Sequence, residues 1–318
     1  MNAPGVSYSF KVDVDTHDGM RDGVPRLLET FRRFGVKATF FLSFGPDNSG
    51  KAIWNLFRTR GFLRKMLRTG APKLYGWRTI LSGTVLPARL IAAKFPDVVR
   101  RIRDEGHEVE VHAWDHRLWQ DHLDRLTRDR IEEQFASAFE CFERILGHRP
   151  RAVAAPAWRA TATSLQVQDG LGLQYASDLR GLEFGLPELD GYRSSTLQIP
   201  TTQPCLEELL TLGRTDLDAC AEEVLAVAPG ARCVVIPLHA EVEGGVYAPF
   251  LETLLRAVAA RAARIQTLHE KSSEILASAT PAPVIRVRAQ PMPGRAGCVA
   301  LVAPRDGDDE VGTADGRR

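Results

Sequence analysis

Residues 8–44 read YSFKVDVDTHDGMRDGVPRLLETFRRFGVKATFFLSF, and this stretch decides the fold class. Tyr8–Val14 alternates and is partly β-branched, which predicts a first strand. Val24–Phe34 places Leu27, Leu28, Phe31 and Phe34 at helical spacing and stops at Gly35, so it reads as a helix. Ala38–Phe44 is a short apolar run, the pattern of a buried strand. A strand, a helix and a second buried strand make a βαβ opening. The same alternation resumes further on. Val98–Glu105 and Arg128–Leu146 read as helices ended by Gly106 and Gly147, with a strand at Glu108–Val111. Ala152–Ala155, Gln174–Ala176, Gln198–Pro200 and Cys233–Leu238 read as further strands, and Asp218–Ala228 and Pro249–Ala263 as helices. Repeated β-then-α units with buried strands predict an α/β fold, a parallel barrel or sheet with helices outside.

Three strand-like runs end in groups that bind metal or carry protons: Asp13 and Asp15, His112 and His116, and His239. In parallel α/β folds the chemistry gathers at the carboxyl ends of strands. Asp13 and Asp15 fall on one side of their strand, because side chains alternate with period two. Two buried carboxylates side by side repel unless a cation or proton separates them. One Asp and two His ligands on a metal, with the second Asp and third His free for acid–base work, resolve that cost. Each fragment has a plainer reading alone: a turn-capping Asp, a surface His pair, a core His. Their shared placement outweighs it. Arg159, beside Trp158, could orient the carboxylate base, and Asp178, near Arg180, could hold the acid histidine charged.

The chain has 318 residues, 44% of them hydrophobic, enough for a large core, and a formal net charge of +1 argues against a general nucleic-acid surface. Five widely spaced cysteines suggest no disulfide framework, and a reducing compartment fits. The first residues lack the basic and apolar regions of an export signal, and no apolar run approaches the length of a spanning helix. Charge is distributed unevenly. Residues 48–96 hold ten Lys and Arg and no Asp or Glu, so this window carries +10 and the rest of the chain −9. Trp54, Phe57, Leu63 and Leu67 belong to apolar stripes at helical spacing, with Arg58, Arg64, Lys65 and Arg68 between them. A packed insertion would show the same stripes. The absence of acidic residues favours an interfacial element, apolar face in lipid and cations at phosphate headgroups. Beyond about Ala279 the chain turns Pro-, Gly- and Arg-rich. Residues 280–303 read as a C-terminal extension, and 304–318 as a disordered tail.

These residues resemble the polysaccharide-deacetylase (NodB-type) superfamily. Within it they resemble the deformylases that act on 4-deoxy-4-formamido-L-arabinose linked to undecaprenyl phosphate. The runs that carry the resemblance include Asp13-Val-Asp-Thr, Gly23-Val-Pro-Arg-Leu-Leu-Glu, Gly45-Pro-Asp-Asn, Leu74-Tyr-Gly-Trp and His112-Ala-Trp-Asp-His116. Ala157-Trp-Arg-Ala, Ser177-Asp-Leu-Arg-Gly, Gln198-Ile-Pro, His239-Ala-Glu-Val-Glu-Gly and Pro293-Gly-Arg extend it over roughly residues 8–303. The resemblance implies a distorted (β/α) barrel with the basic window as a helical insertion. It implies one divalent ion (zinc, cobalt, manganese or nickel) on Asp15, His112 and His116, with Asp13 as base and His239 as acid. Trp158, Arg159, Asp178, Arg180 and Glu241 become substrate-binding or supporting residues. The implied partners are a polyprenyl-phosphate-linked amino sugar and an anionic membrane surface at the cytoplasmic side of the bacterial inner membrane. The implied role is lipid A modification and resistance to polymyxin and other cationic peptides. The superfamily often shows Thr-Phe-Asp-Asp-Gly, and a register with Asp18 as ligand is conceivable. It is set aside because the deformylases carry Thr-Tyr-Arg-Gly there, and arginine cannot ligate. The rivals are a polysaccharide or peptidoglycan de-N-acetylase and a catalytically inactive lipid-binding protein on this fold.

Overall fold

The computed structural model describes residues 6–50, 82–83, 87–228, 231, 233–261 and 263–303. Arg58, Arg64, Lys65 and Arg68, and most of the basic window, lie outside the described residues, as does the stretch 304–318.

In chain order the first elements are β1 (Ser7–Val14), α1 (Val24–Phe34), β2 (Thr39–Ser43), α2 (Pro96–Asp104), β3 (Glu108–Ala113), α3 (His116–His122) and α4 (Arg128–Leu146). Then follow β4 (Ala152–Val153), α5 (Ala162–Asp169), β5 (Tyr175–Ala176), β6 (Leu186–Leu189), β7 (Tyr192–Arg193), α6 (Leu206–Thr211) and α7 (Leu217–Val224). The last are β8 (Cys233–His239), α8 (Ala248–Ala260), β9 (Arg264–Ile265), α9 (Leu268–Leu276), β10 (Val284–Pro291) and β11 (Cys298–Val302).

The main sheet runs β5-β4-β3-β2-β1-β8, with β9 on the part of β1 that β2 leaves uncovered. Every pairing in it is parallel. β1 is buried along its whole length, yet its two faces differ. Tyr8, Phe10, Val12 and Val14 pack outward into the main core with Leu27, Leu28 and Phe31 of α1. The alternate positions Ser7, Ser9, Lys11 and Asp13 are polar and equally buried, so they face the barrel interior. Phe41, Tyr175, Leu197, Ile199 and Val235 form a separate apolar cluster.

The barrel is a half-barrel. β4 and β5 have two residues each, and the outermost strands β5 and β8 do not pair with one another. An irregular segment bridges them: Ile199 N donates to the Ala176 carbonyl (2.8 Å) and Thr202 N to that of Val235 (3.2 Å). Gln198–Pro200, expected as a strand, therefore forms only single bridges, with Gln198 paired to Ala176 and Gly185.

A second sheet, β11-β10-β6-β7, contains the segment read as a C-terminal extension. Its β6–β7 hairpin turns at Asp190-Gly191, both at positive φ (51° and 79°), the geometry two-residue hairpins favour. Arg180 ties it to the barrel, its N donating to the Ala300 carbonyl and its carbonyl accepting from Val302 N.

Candidate active site

Parallel register sets the heart of the site. Asp13 of β1 stands opposite His239 of β8 on one side and Phe41 of β2 on the other. An acidic and an imidazole side chain are thereby neighbours across a sheet, on the interior face.

Asp15 lies just past the end of β1. Its Oδ1 is 3.3 Å from His112 Nε2 and its Oδ2 is 3.2 Å from His116 Nε2. His112 projects from β3. His116 opens α3, whose start is fixed by Asp115: Oδ1 accepts from Leu118 N (3.0 Å) and Oδ2 from Asn48 Nδ2 (2.8 Å). Donor atoms of Asp15, His112 and His116 all lie within 4.8 Å of one another. Burial alone would raise the Asp15 carboxyl. The two imidazoles, His116 foremost, instead hold it well below the usual carboxylate range. Asp15 Oδ1 is buried and has no hydrogen-bond partner. One carboxylate and two imidazoles converging on a buried, under-satisfied oxygen suit a borderline divalent cation. The donor set fits the metal that the sequence suggested.

Glu241 fastens this turn. Its Oε1 accepts from Asp15 N (3.0 Å), Thr16 N (2.7 Å) and Thr16 Oγ1 (2.8 Å). Burial, with Asp15 nearby, pushes the Glu241 carboxyl up to about 7. Gly19 is required here, because a Cβ would sit 2.2 Å from Glu241 Oε1. Asp18 turns away, pairing with Arg89 (3.0 Å) and Arg21 (3.2 Å), and His17 Nδ1 meets the Leu90 carbonyl at 2.8 Å. Those pairings are consistent with Asp15, not Asp18, as the ligand of the first strand.

Asp13 Oδ2 lies 3.1 Å from Lys11 Nζ, both side chains being almost fully buried. The lysine is boxed by the rings of Trp158 (5.2 Å) and Phe41 (5.5 Å). Asp13 Oδ1 has no hydrogen-bond partner. Arg159, expected to orient this carboxylate, turns instead to Asp124 and to the Gln120 carbonyl (2.9 Å). Sequence adjacency to Trp158 gave no information on which way the guanidinium would turn.

His239 Nδ1 is 3.0 Å from Glu207 Oε1, and its backbone N donates to Glu243 Oε2 (2.8 Å). Burial would depress the imidazole. Glu207, then Asp15 and Asp13, instead hold it well above its ordinary value. Burial, then Glu207, raises the Glu243 carboxyl to about 8. Asp178, expected to partner His239, is committed elsewhere: its Oδ2 accepts from Gln168 Nε2 (2.8 Å) and Gln198 Nε2 (2.9 Å). Glu207 fills that role. Sequence reading missed both Lys11 and Glu207. Lys11 left one clue, a cation two residues before Asp13 and so on the same face of the strand.

Cys205, Glu207 and His239 also bring donor atoms within 4.8 Å. Burial, then Glu207 and Glu208, drives the Cys205 thiol well above its ordinary range, which makes it the poorer ligand set.

The sequence profile of the polysaccharide deacetylase family matches residues 15–176, just over half of the chain. The chain belongs to the polysaccharide deacetylase family. Two curated relatives are named 4-deoxy-4-formamido-L-arabinose-phosphoundecaprenol deformylase ArnD. The one from Shewanella sediminis is 36% identical over 246 residues, 77% of this chain and 79% of that protein. The one from Wigglesworthia glossinidia brevipalpis is 28% identical over 286 residues, 89% of this chain and 97% of that protein. Among solved structures, a Mycobacterium smegmatis protein described as a polysaccharide deacetylase superposes with a TM-score of 0.60 at 17% identity. It covers 92% of this chain and 97% of its own, which shows a shared fold.

Proposed function

We propose that this polysaccharide deacetylase family member is an amide hydrolase that removes formate from 4-deoxy-4-formamido-L-arabinose carried on undecaprenyl phosphate. The observation that carries the reading is the 36% identity, across most of both chains, with a protein bearing that deformylase name. The geometry supports it, because an amide hydrolase needs a base and an acid flanking an electrophilic centre. Asp13 and His239 stand that way beside the Asp15–His112–His116 cluster.

A divalent cation held by Asp15, His112 and His116 would polarise the amide carbonyl and acidify a water. Asp13 would take a proton from the attacking water on its unpartnered Oδ1, with Lys11 against its other oxygen. His239, kept charged by Glu207, protonates the departing sugar amine. Glu241 holds the Asp15–Thr16 backbone and so aims Asp15. Mass spectrometry of the lipid product is the test: loss of the formyl group from the formamido sugar supports the reading, and an unchanged lipid contradicts it.

Glu207→Gln probes the acid. A group held high by its carboxylate is competent below its pKa and fails as pH rises through it. Removing that carboxylate moves the alkaline limb of kcat to lower pH, by about one unit or more. An alkaline limb in the same place would remove Glu207 from this role.

The family reading extends to location. Among the described residues, no helix is long and apolar enough to cross a membrane. Residues 48–96, with ten cations and no acidic residue, are the segment that would hold the protein at an anionic bilayer on the cytoplasmic side of the inner membrane. Headgroup attraction decays over roughly 8–10 Å at physiological ionic strength, so the electrostatic share of binding weakens with salt. Changing Arg58, Arg64, Lys65 and Arg68 together to glutamate releases much of the protein from anionic liposomes in a sedimentation assay. Undiminished sedimentation makes the window a packed insertion.

A further inference from the structure

The Pro293-Gly-Arg run plays no part in the chemistry above, yet its placement is specific. Gly294, in the turn between β10 and β11, has φ +81°, and a Cβ there would lie 2.7 Å from the Glu208 carbonyl oxygen. The turn is thus pressed against α6, the helix that carries Glu207. This contact delivers Arg295 to the acid side of the site. Its Cζ lies 4.4 Å from the ring centre of Trp158, whose indole meets His239 edge-on at 6.3 Å. Trp158 is itself held in a left-handed backbone conformation (φ 53°) and by a 2.8 Å hydrogen bond from Nε1 to Thr201 Oγ1. An arginine and an indole fixed so tightly at a reaction centre invite a role for the arginine.

Charge accounting narrows that role. Lys11 is paired with Asp13, His239 with Glu207, and Arg180 with both oxygens of Glu208 (3.1 and 3.3 Å). The Arg295 side chain has only a share of Glu208 Oε1, at 3.1 Å, and this is its one side-chain hydrogen bond among the described residues. Four of the five guanidinium donors remain available. Arg295 is partly open to solvent: its side chain is 18% exposed, against 4% for Asp13 and 14% for His239, and Glu207 beside His239 is 26% exposed. The surplus cation therefore lies on the partly exposed acid side of the site.

We infer that Arg295 binds the phosphate of the sugar phosphodiester substrate and so helps select lipid-phosphate-linked sugars over neutral glycosides. The inference rests on the deformylase reading. In that substrate the sugar ring and its amide are neutral, and the phosphate is the one anionic group beside the ring. An amide reaching the buried Asp13 leaves the phosphate and its chain to the partly exposed acid side. A guanidinium fork is suited to receiving phosphate oxygens there.

The test compares Arg295→Met and Arg295→Lys with the wild type on two formamido-sugar substrates, an alkyl phosphodiester and a phosphate-free methyl glycoside. Losing a hydrogen bond to a charged group costs about 10- to 100-fold. The expected result is a KM on the phosphodiester raised by that factor in Arg295→Met, at least tenfold more than any change on the glycoside, with partial rescue in Arg295→Lys. Equal losses on both substrates make Arg295 a brace for Trp158 and overturn the inference. Calorimetric titration of the non-hydrolysable phosphodiester supplies a readout independent of turnover. Binding at least tenfold weaker in Arg295→Met supports the contact, and equal binding overturns it. Inorganic phosphate bound as tightly as the diester marks a general anion site and also overturns it. If the wild type releases formate from neither substrate, the deformylase reading fails, while the titration still decides Arg295.

Discussion

His239→Ala is expected to keep its fold and its metal while losing turnover by about 10²–10⁴-fold, the usual worth of a positioned acid–base group. The fold survives because His239 is the last residue of β8 and the outward core of that strand is Val234, Ile236 and Leu238. Alanine also retains the backbone N–H that Glu243 accepts. The metal survives because His239 is not among the three converging ligands. Steady-state rates, elemental analysis and circular dichroism on one preparation check the three parts. A rate within about threefold of wild type would take His239 out of the mechanism.

His116→Ala is expected to do more. It removes one of three ligands, and two remaining donors leave a site too poorly coordinated to retain a divalent ion through dialysis. Helix α3 itself persists, since Asp115 still caps it through Leu118 N. The expected outcome is a folded protein with no stoichiometric metal by elemental analysis and no detectable formate release. Full metal content in this variant would refute the ligand assignment.

The sequence displayed the barrel most clearly where strands are buried on both faces. Tyr8–Val14 reads as a strand because its apolar residues alternate with polar ones, and Cys233–Leu238 because it is a short, nearly continuous apolar run. Arg128–Leu146 was legible to the residue because Thr127 caps it and Gly147 ends it in a left-handed conformation. The hairpin of β10 and β11 was hidden by its neighbours. Ile285 and Val287 are buried between exposed Arg286 and Arg288, a half-buried strand's alternation, but prolines and glycines on both sides masked it. Helix α6 escaped notice for a similar reason: it is six residues long and follows Pro204.

Missing α6 meant missing Glu207, which stands 32 positions before its partner His239 and meets it only through tertiary packing. Asp13, Asp15, His112 and His116 were easier, because strand ends in a parallel fold converge by construction. Arg159 and Asp178 show where that logic stops. Each follows a strand, yet helix α3 claims the first and two glutamines claim the second. Strand-end position brings a residue to the right face and says nothing about its partner.

The central claim is that this site hydrolyses a formamide on a lipid-phosphate-linked sugar. It is tested most directly by offering the purified, metal-loaded protein the formamido-arabinose and acetamido-arabinose forms of the same undecaprenyl phosphate and measuring the acid released. The account predicts formate from the first at a far higher kcat/KM than acetate from the second. Acetate released as readily as formate would instead favour a de-N-acetylase, and release of neither acid would contradict the account.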